Sequence, residues 1–147
     1  MRKPYLMSES APNFVLNDLN GVRYNFEEIF GNSPYTLLVF FSPLDCRPCL
    51  EEMNLWQRIS EEGKVQVVGV ARHIDKRELK NWVQNSDIIF PVLYDGESQV
   101  TKMFNIKKTA LKILIDSKGN ILLVDKARVA PHDQIGFIKK LNKIINK

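Results

Sequence analysis

The chain has 147 residues, of which 44% are apolar and 26% charged, and these ordinary globular proportions exclude a disordered or fibrous protein. The formal net charge of +4 is carried by lysines and arginines spread along the chain, which argues against a nucleic-acid-binding surface. We expect one domain over residues 1–147, with residues 1–10 as a flexible N-terminal segment.

The first half of the chain predicts a hairpin followed by a strand, a helix and a second strand. Residues 14–24 predict the hairpin, because short apolar stretches flank the turn letters DLNG. The continuous apolar run TLLVFF predicts a strand at residues 36–41 that is buried on both faces. Apolar residues then follow one helical stripe over residues 48–61, and VQVVGVA predicts a second buried strand at residues 65–71.

The second half of the chain continues the alternation of strands and helices. Asp75 and Glu78 resemble a helix-capping pair, so we expect a helix from there to about Asn85. The turn letters DSKGN, flanked by apolar runs, predict a hairpin. The remaining predicted elements are an extended stretch at residues 88–94, a short helix at 97–104, hairpin strands at 111–115 and 121–124, and a terminal helix. The sequence therefore predicts an α/β fold, a mixed sheet with helices on both faces.

The predicted terminal helix carries the densest group of lysines, between Lys139 and Lys147, beside apolar residues at helical spacing from Ile135 to Ile145. Because no aromatic residues are interleaved with these lysines, we predict a solvated helix face and no nucleic-acid partner. No stretch reaches the roughly 18 apolar residues of a membrane span. The basic start MRKPYLM lacks the apolar core of a secretory signal.

The only two cysteines, Cys46 and Cys49, lie in the segment LVFFSPLDCRPCLEEM, where the predicted strand gives way to the predicted helix. They are too close in sequence to join distant parts of the fold. A redox couple, half of a metal site and two structural neighbours are all compatible with this spacing. Helix N–H groups and the adjacent Arg47 favour a thiolate at Cys46, whereas Asp45 opposes it.

Pro48, Cys49 and Glu52, which follow the first cysteine, are all compatible with dithiol chemistry. Pro48 fits the first helical turn, where its missing N–H needs no partner, and it stiffens the link between the sulfurs. Cys49 would lie one turn into the helix and could attack a mixed disulfide at Cys46. Glu52 follows Cys49 by three, so the two positions share a helix face. A buried Glu52 could accept the proton of Cys49, and an exposed Glu52 would be an ordinary solvated carboxylate.

The motif CRPC followed by EE resembles the CxPCxxE signature of the thioredoxin-like TlpA/ResA thiol-disulfide oxidoreductases, within the AhpC/TSA-redoxin superfamily. The opening hairpin, the central strand-helix-strand insertion and the closing hairpin ILIDSKGNILLV also resemble that family, so nearly the whole chain from Ala11 is covered. The resemblance implies a thioredoxin-like fold in which Cys46 is the nucleophile and Cys49 resolves the mixed disulfide, with Arg47, Pro48 and Glu52 supporting them.

The sequence departs from the family pattern at three positions. Asp45 replaces the usual tryptophan before the first cysteine, and Asn54 replaces a proline after the glutamate. Thr109 and Ala110 stand where relatives carry a cis-proline that faces the cysteines. A cis bond before alanine costs about 2.5–4 kcal/mol, so we expect a trans peptide and a loop that leaves Cys46 more open.

A thiol peroxidase is the first alternative, because FFSPLD also resembles the entry to a peroxiredoxin site. Peroxiredoxins show the pattern P-x-x-x-T-x-x-C. Counting from Pro43, Arg47 stands at the threonine position and the second cysteine comes one residue early.

A copper or zinc site is the second alternative, since Cys46 and Cys49 could join His73 or His132 as a Cys-Cys-His set. Sco-type copper proteins are thioredoxin-like and have such a set, although their cysteines are spaced one residue wider. Two surface histidines and a redox pair of cysteines explain the same residues without a metal.

The sequence as a whole predicts a thiol-disulfide oxidoreductase with no cofactor and no metal. We expect a protein or small-molecule disulfide or dithiol as substrate, an upstream redox partner, no membrane span and a monomer. The family resemblance favours an extracytoplasmic location, periplasmic or membrane-tethered, with the export segment absent from this sequence.

Overall fold

The computed structural model describes residues 10–42, 47–72, 75–96, 98–103, 111–125 and 134–146, and in the second helix it describes side chains from Glu52 onward. Of the predicted flexible segment, Ser10 forms an antiparallel bridge with Asn120, and residues 1–9 lie outside the described part. The elements are β1 (Val15–Asn17), β2 (Arg23–Asn25), α1 (Phe26–Gly31), β3 (Tyr35–Phe41), α2 (Arg47–Glu62), β4 (Gln66–Arg72), α3 (Lys76–Gln84), β5 (Val92–Asp95), α4 (Gln99–Met103), β6 (Lys112–Asp116), β7 (Ile121–Asp125) and α5 (Gln134–Ile145).

Five strands form the central sheet in the order β5-β4-β3-β6-β7, and β1 and β2 form a separate hairpin. Strand β4 runs parallel to β3 and to β5, whereas β6 runs antiparallel to β3 and to β7. The predicted α/β class, the mixed sheet, the N-terminal hairpin and the strand-helix-strand insertion from β4 to β5 are all confirmed.

Strand β3 lies at the centre of the sheet and is covered on both faces. Leu37 and Val39 pack on one face with side chains of α2, α3 and α5. Leu38 and Phe40 pack on the other face with side chains of α1, α4 and the hairpin. Because alternate residues of a strand point to opposite faces, a run in which every side chain is apolar requires two covered faces, as the sequence predicted.

Helix α1 is the one element of the described chain that the sequence analysis did not predict. Its six residues begin after Asn25, whose side chain accepts a hydrogen bond from the backbone N–H of Glu27. Phe26, Ile29 and Phe30 are buried, and the ring of Phe26 stacks on that of Phe14 with 4.0 Å between centroids. A helix this short shows too few turns for its apolar period to stand out.

Two predicted turn and capping signals are confirmed by hydrogen bonds. The Asp75 side chain accepts from the backbone N–H groups of Arg77 and Glu78 at the start of α3. In the turn between β6 and β7, the Asp116 carboxylate accepts from the backbone N–H groups of Lys118 and Asn120 at 2.9 Å each. Both aspartates close their turns locally.

The terminal helix α5 carries its lysines on an exposed face, as predicted, over the part of the helix that the structure describes. Phe137 and Leu141 supply its buried side chains. Ile135, which the periodicity assigned to the apolar stripe, is 67% exposed, so that assignment was wrong. Ile135 lies only two positions before the buried Phe137, and side chains two residues apart on a helix point in different directions. None of the helices in the described ranges is long and apolar enough to cross a membrane.

Candidate active site

The CRPC segment is placed by the end of a buried strand and the start of a long helix. Strand β3 ends at Phe41 and α2 begins at Arg47, so Arg47, Pro48 and Cys49 occupy the first turn of that helix. The predicted position of Cys49 at a helix start is therefore confirmed for the backbone. Cys46, the predicted nucleophile, and the side chains of residues 47–51 lie outside the described part, and the roles assigned to them stay predictions.

Glu52, one turn after Cys49, is fully buried. Its side chain is 1% exposed, so the interpretation of this residue as a solvated carboxylate was wrong. The carboxylate faces the side-chain ammonium of Lys112, with 3.7 Å between Oε1 and Nζ. Burying a carboxylate is unfavourable unless a charge or hydrogen bonds compensate it, and the lysine supplies such a charge.

Lys112, the partner of Glu52, is a residue of the candidate site that the sequence analysis did not identify. It is the first residue of β6, pairs with Val39 of β3, and has no solvent-exposed surface. Cross-strand partners point to the same face of a sheet, so the lysine lies on the face of Val39, where α2 packs. The sequence held only a weak signal that Lys112 would be buried. In LKILI the lysine stands two residues before Leu114, and alternate residues of a strand share a face, so a buried Leu114 implies a buried Lys112.

The groups around the Lys112 ammonium come from two elements, α2 and β7. Glu52 approaches it from α2, and Asp125 is its cross-strand partner on β7. The indole of Trp56 lies one helical turn after Glu52, with its ring centroid 5.9 Å from Nζ. The same indole packs edge-on against Phe137 of α5. The ammonium thus lies in the core against the Glu52 carboxylate and the Trp56 ring, with Asp125 opposite it on the neighbouring strand.

Burial lowers the pKa of Lys112 below its ordinary value of 10.5, because the charged form loses its hydration. The negative charges of Glu52 and, to a lesser extent, Asp125 act in the opposite direction. The carboxylates therefore offset part of the cost of holding a charged lysine in the core.

Several predicted residues lie outside the described part of the chain. They are Thr109 and Ala110, in the predicted loop beside the sulfurs, and His73 and His132, the candidate metal ligands. Among the residues that the structure does describe, no three histidine, cysteine, aspartate or glutamate side chains cluster as a metal site would require. The metal alternative and the trans peptide before Ala110 therefore stay predictions.

Comparisons with known proteins identify relatives of the whole chain. The thiol-disulfide oxidoreductase ResA of Bacillus thuringiensis subsp. konkukian is 26% identical over 139 residues, which cover 92% of this chain and 78% of that protein. This bears out the predicted resemblance to the TlpA/ResA family.

Solved structures with the same fold include two that cover most of the chain. The thiol:disulfide interchange protein DsbE of Chlorobium tepidum matches with a TM-score of 0.84 at 21% identity, over 95% of this chain and 97% of that one. A secreted disulfide oxidoreductase of Mycobacterium tuberculosis matches with a TM-score of 0.76 at 18% identity, over 88% and 95%. The predicted thioredoxin-like fold is confirmed. The AhpC/TSA family model matches residues 7–128.

Proposed function

The chain belongs to the AhpC/TSA family, and we propose that within it the protein is a thiol-disulfide oxidoreductase that works through Cys46 and Cys49. The observation that carries the proposal is the position of Cys49 in the first turn of α2, one turn before the fully buried Glu52. A carboxylate held away from water beside a resolving thiol can serve as a proton acceptor. The similarity to ResA supports the same chemistry.

The proposed cycle has two exchange steps. The Cys46 thiolate attacks a substrate disulfide, so that a Cys46–substrate bond forms and one substrate sulfur leaves as a thiolate. The Cys49 thiolate then attacks Cys46 Sγ, forms the Cys46–Cys49 disulfide and releases the second substrate thiolate. Glu52 takes the proton from Cys49 before this second attack. The dithiol of the protein is oxidised and the substrate disulfide is reduced; run in reverse, the same steps oxidise a substrate.

The division of labour between the sulfurs can be tested with two serine variants. Cys49→Ser should trap the substrate as a mixed disulfide on Cys46, whereas Cys46→Ser should not react with disulfides. Mass spectrometry of the protein after incubation with a model disulfide reads both outcomes. Equal capture by the Cys46→Ser variant would reverse the assignment. Consumption of hydrogen peroxide with a dithiol reductant would instead support the thiol peroxidase alternative.

The departure at Ala110 bears on the choice of substrate. With a trans Thr109–Ala110 peptide, the loop would leave Cys46 more open and favour small disulfides over extended peptides. Ala110→Pro lowers the cost of a cis bond to about 0.5–1 kcal/mol. We expect it to raise the turnover of peptide disulfides if the loop can adopt the cis form. Loss of stability without such a gain would show that the loop needs the backbone conformation of alanine.

We further propose that residues 1–147 form a single thioredoxin-like domain that acts as a monomer outside the cytoplasm. The secreted Mycobacterium tuberculosis protein with the same fold supports the location. The partners would be a protein or small-molecule disulfide or dithiol and an upstream protein that resets the redox state of the two cysteines. Fractionation of cells carrying the tagged full-length gene product tests the location.

A further inference from the structure

Lys112 is an unusual residue to find in a protein core. Lysine is almost never fully buried unless it is paired, and here the whole side chain is shielded by β3, β7 and α2. Its neighbours on the same sheet face, Val39 and Leu114, are apolar and fully buried. An apolar side chain would fit the same setting.

A buried ion pair is by itself weak evidence for a stabilising role. Buried ion pairs can often be replaced by apolar residues of similar size with no loss of stability, because desolvation of the two charges offsets their attraction. A role other than stabilisation is therefore worth seeking for this pair.

The two members of the pair are each close in sequence to a segment that the family resemblance assigns to the dithiol site. Glu52 stands on α2, three residues after Cys49, which places the two positions on one helix face. Lys112 begins the strand that follows residues 104–110, the segment that contains Thr109 and Ala110. The ammonium thus meets a carboxylate that lies one helical turn after the resolving cysteine.

We propose that Lys112 is a positioning residue for the thiol chemistry, whose buried ammonium keeps Glu52 ionised and therefore able to accept the proton of Cys49. The inference rests on the proposed function, because it assigns Lys112 to the resolving step of that cycle. A carboxyl group inside the core favours its neutral form. The neutral form carries a proton already and cannot take another, so a positive charge beside Glu52 is what makes it a base at neutral pH.

Other charged groups near the pair do not replace this interaction. Asp125 faces the same ammonium from β7, and its carboxylate also pairs with Lys140 of α5 at 4.0 Å. Lys140 is more than half exposed, so water screens its charge. Lys140 therefore provides a matched control: the same substitution at a lysine near the same aspartate, outside the core.

The two exchange steps can be followed separately with the aromatic disulfide 5,5′-dithiobis(2-nitrobenzoate). Attack by Cys46 releases one coloured thionitrobenzoate and leaves the other bonded to Cys46. Attack by Cys49 on Cys46 releases the second and forms the protein disulfide, so one equivalent of reagent oxidises one dithiol. Stopped-flow absorbance of the reduced full-length protein across a range of pH gives the rate of each phase.

Lys112→Met should slow the second phase by about tenfold at pH 7 and displace its pH profile upward by about one unit, with recovery at high pH as Glu52 ionises. The first phase should change less than twofold. Lys112→Arg, which keeps the charge, should retain the wild-type profile of the second phase. Lys140→Met should leave both phases unchanged.

Two outcomes would overturn the inference. One is an unchanged pH profile of the second phase in Lys112→Met; the other is equal slowing of both phases, which is the sign of a general structural defect. The proposed function would fail differently, since wild-type protein would then show no second phase or Cys46→Ser would react normally. A second phase that depends on Glu52 but not on Lys112 would remove this inference alone.

Infrared spectroscopy tests the same point without altering Lys112, in case Lys112→Met does not fold. The difference spectrum between wild type and Glu52→Gln at pH 7 should show the antisymmetric stretch of an ionised carboxylate. A protonated carboxyl band in its place would show that the ammonium does not keep Glu52 ionised, and would overturn the proposal.

Discussion

Two buried carboxylates of this protein are compensated in different ways. Asp95, at the end of β5, is 2% exposed and accepts hydrogen bonds from the backbone N–H groups of Val100 and Thr101 and from the Thr101 hydroxyl, at 3.3, 2.9 and 2.8 Å. Glu52 is equally buried but faces an ammonium that arrives from another part of the chain. Asp95 closes a local turn into α4, whereas Glu52 depends on the packing of α2 against β6.

This difference separates a structural role from a chemical one. The donors to Asp95 belong to residues five and six positions further on, and their bonds hold the start of a helix. The partner of Glu52 is sixty residues away in sequence (112 minus 52) and is itself a titratable group whose pKa is lowered by burial. In the proposed cycle Glu52 must be ionised to accept a proton, and a positive charge beside it favours the ionised form.

The largest effect should follow from removing one member of the ion pair. Lys112→Met leaves a buried carboxylate without its ammonium, and such changes cost about 3–5 kcal/mol of unfolding free energy. Glu52→Met/Lys112→Met should recover most of that loss, since two apolar side chains then occupy the space. Urea unfolding of the three proteins checks both values. A loss below 1 kcal/mol in the single variant would mean that Glu52 becomes neutral at little cost.

Removing the Asp95 carboxylate should destabilise the protein without changing the rates of thiol-disulfide exchange. Asp95→Ala deprives Val100 and Thr101 of their acceptor and should cost about 2–3 kcal/mol. Thr101→Val removes only the hydroxyl bond and should cost about 1 kcal/mol. Neither variant should change the ratio of the two exchange phases. A selective change in the rate of the second phase would show that Asp95, like Glu52, affects the resolving step.

The pH dependence of stability should also distinguish Lys112. Its folded-state pKa lies below the ordinary 10.5, so between those two values the unfolded chain binds more protons than the folded one. The unfolding free energy of the wild-type protein, minus that of the double variant Glu52→Met/Lys112→Met, should therefore rise as the pH increases through this window. It should level off above pH 10.5. Unfolding measured at several alkaline pH values tests the sign. A falling difference would mean that the folded state holds the proton more tightly than the unfolded chain.

The smallest effect is expected at the exposed lysine. Lys140 pairs with Asp125 at 4.0 Å and is 57% exposed, so Lys140→Met should change the unfolding free energy by no more than about 0.5 kcal/mol. Lys112→Met is the same chemical change at a buried position. The difference between the two losses of unfolding free energy therefore measures the effect of burial. Comparable losses in the two variants would show that desolvation is not the source of the Lys112 effect.

The sequence was sufficient for features that depend on neighbouring residues. The run TLLVFF, the Asp75 cap and the turn DSKGN each carry their structural signal within a few positions, and all three are confirmed. Whether Glu52 is buried depends on what packs against α2. Nothing within a few residues of Glu52 indicates that Lys112 will meet it, because the contact exists only once β6 is paired with β3.

The terminal helix shows the same limit at smaller scale. Apolar residues recur at helical spacing from Ile135 to Ile145, but Ile135 is exposed whereas Phe137 and Leu141 are buried. Periodicity indicates that a helix has an apolar side, but which of its residues are covered depends on the elements that pack against it.

The pairing of β6 with β3 gives the buried lysine one more consequence, for the accuracy of folding. A slip of one residue between these strands would turn every side chain of β6 to the opposite face of the sheet. Lys112 would then enter the cluster formed by Leu38, Phe40 and their apolar neighbours, where an ammonium is strongly disfavoured. Ile113 would take its place beside Glu52. A lysine at the first position of the strand thus penalises misaligned β6 and selects the correct alignment as the sheet assembles.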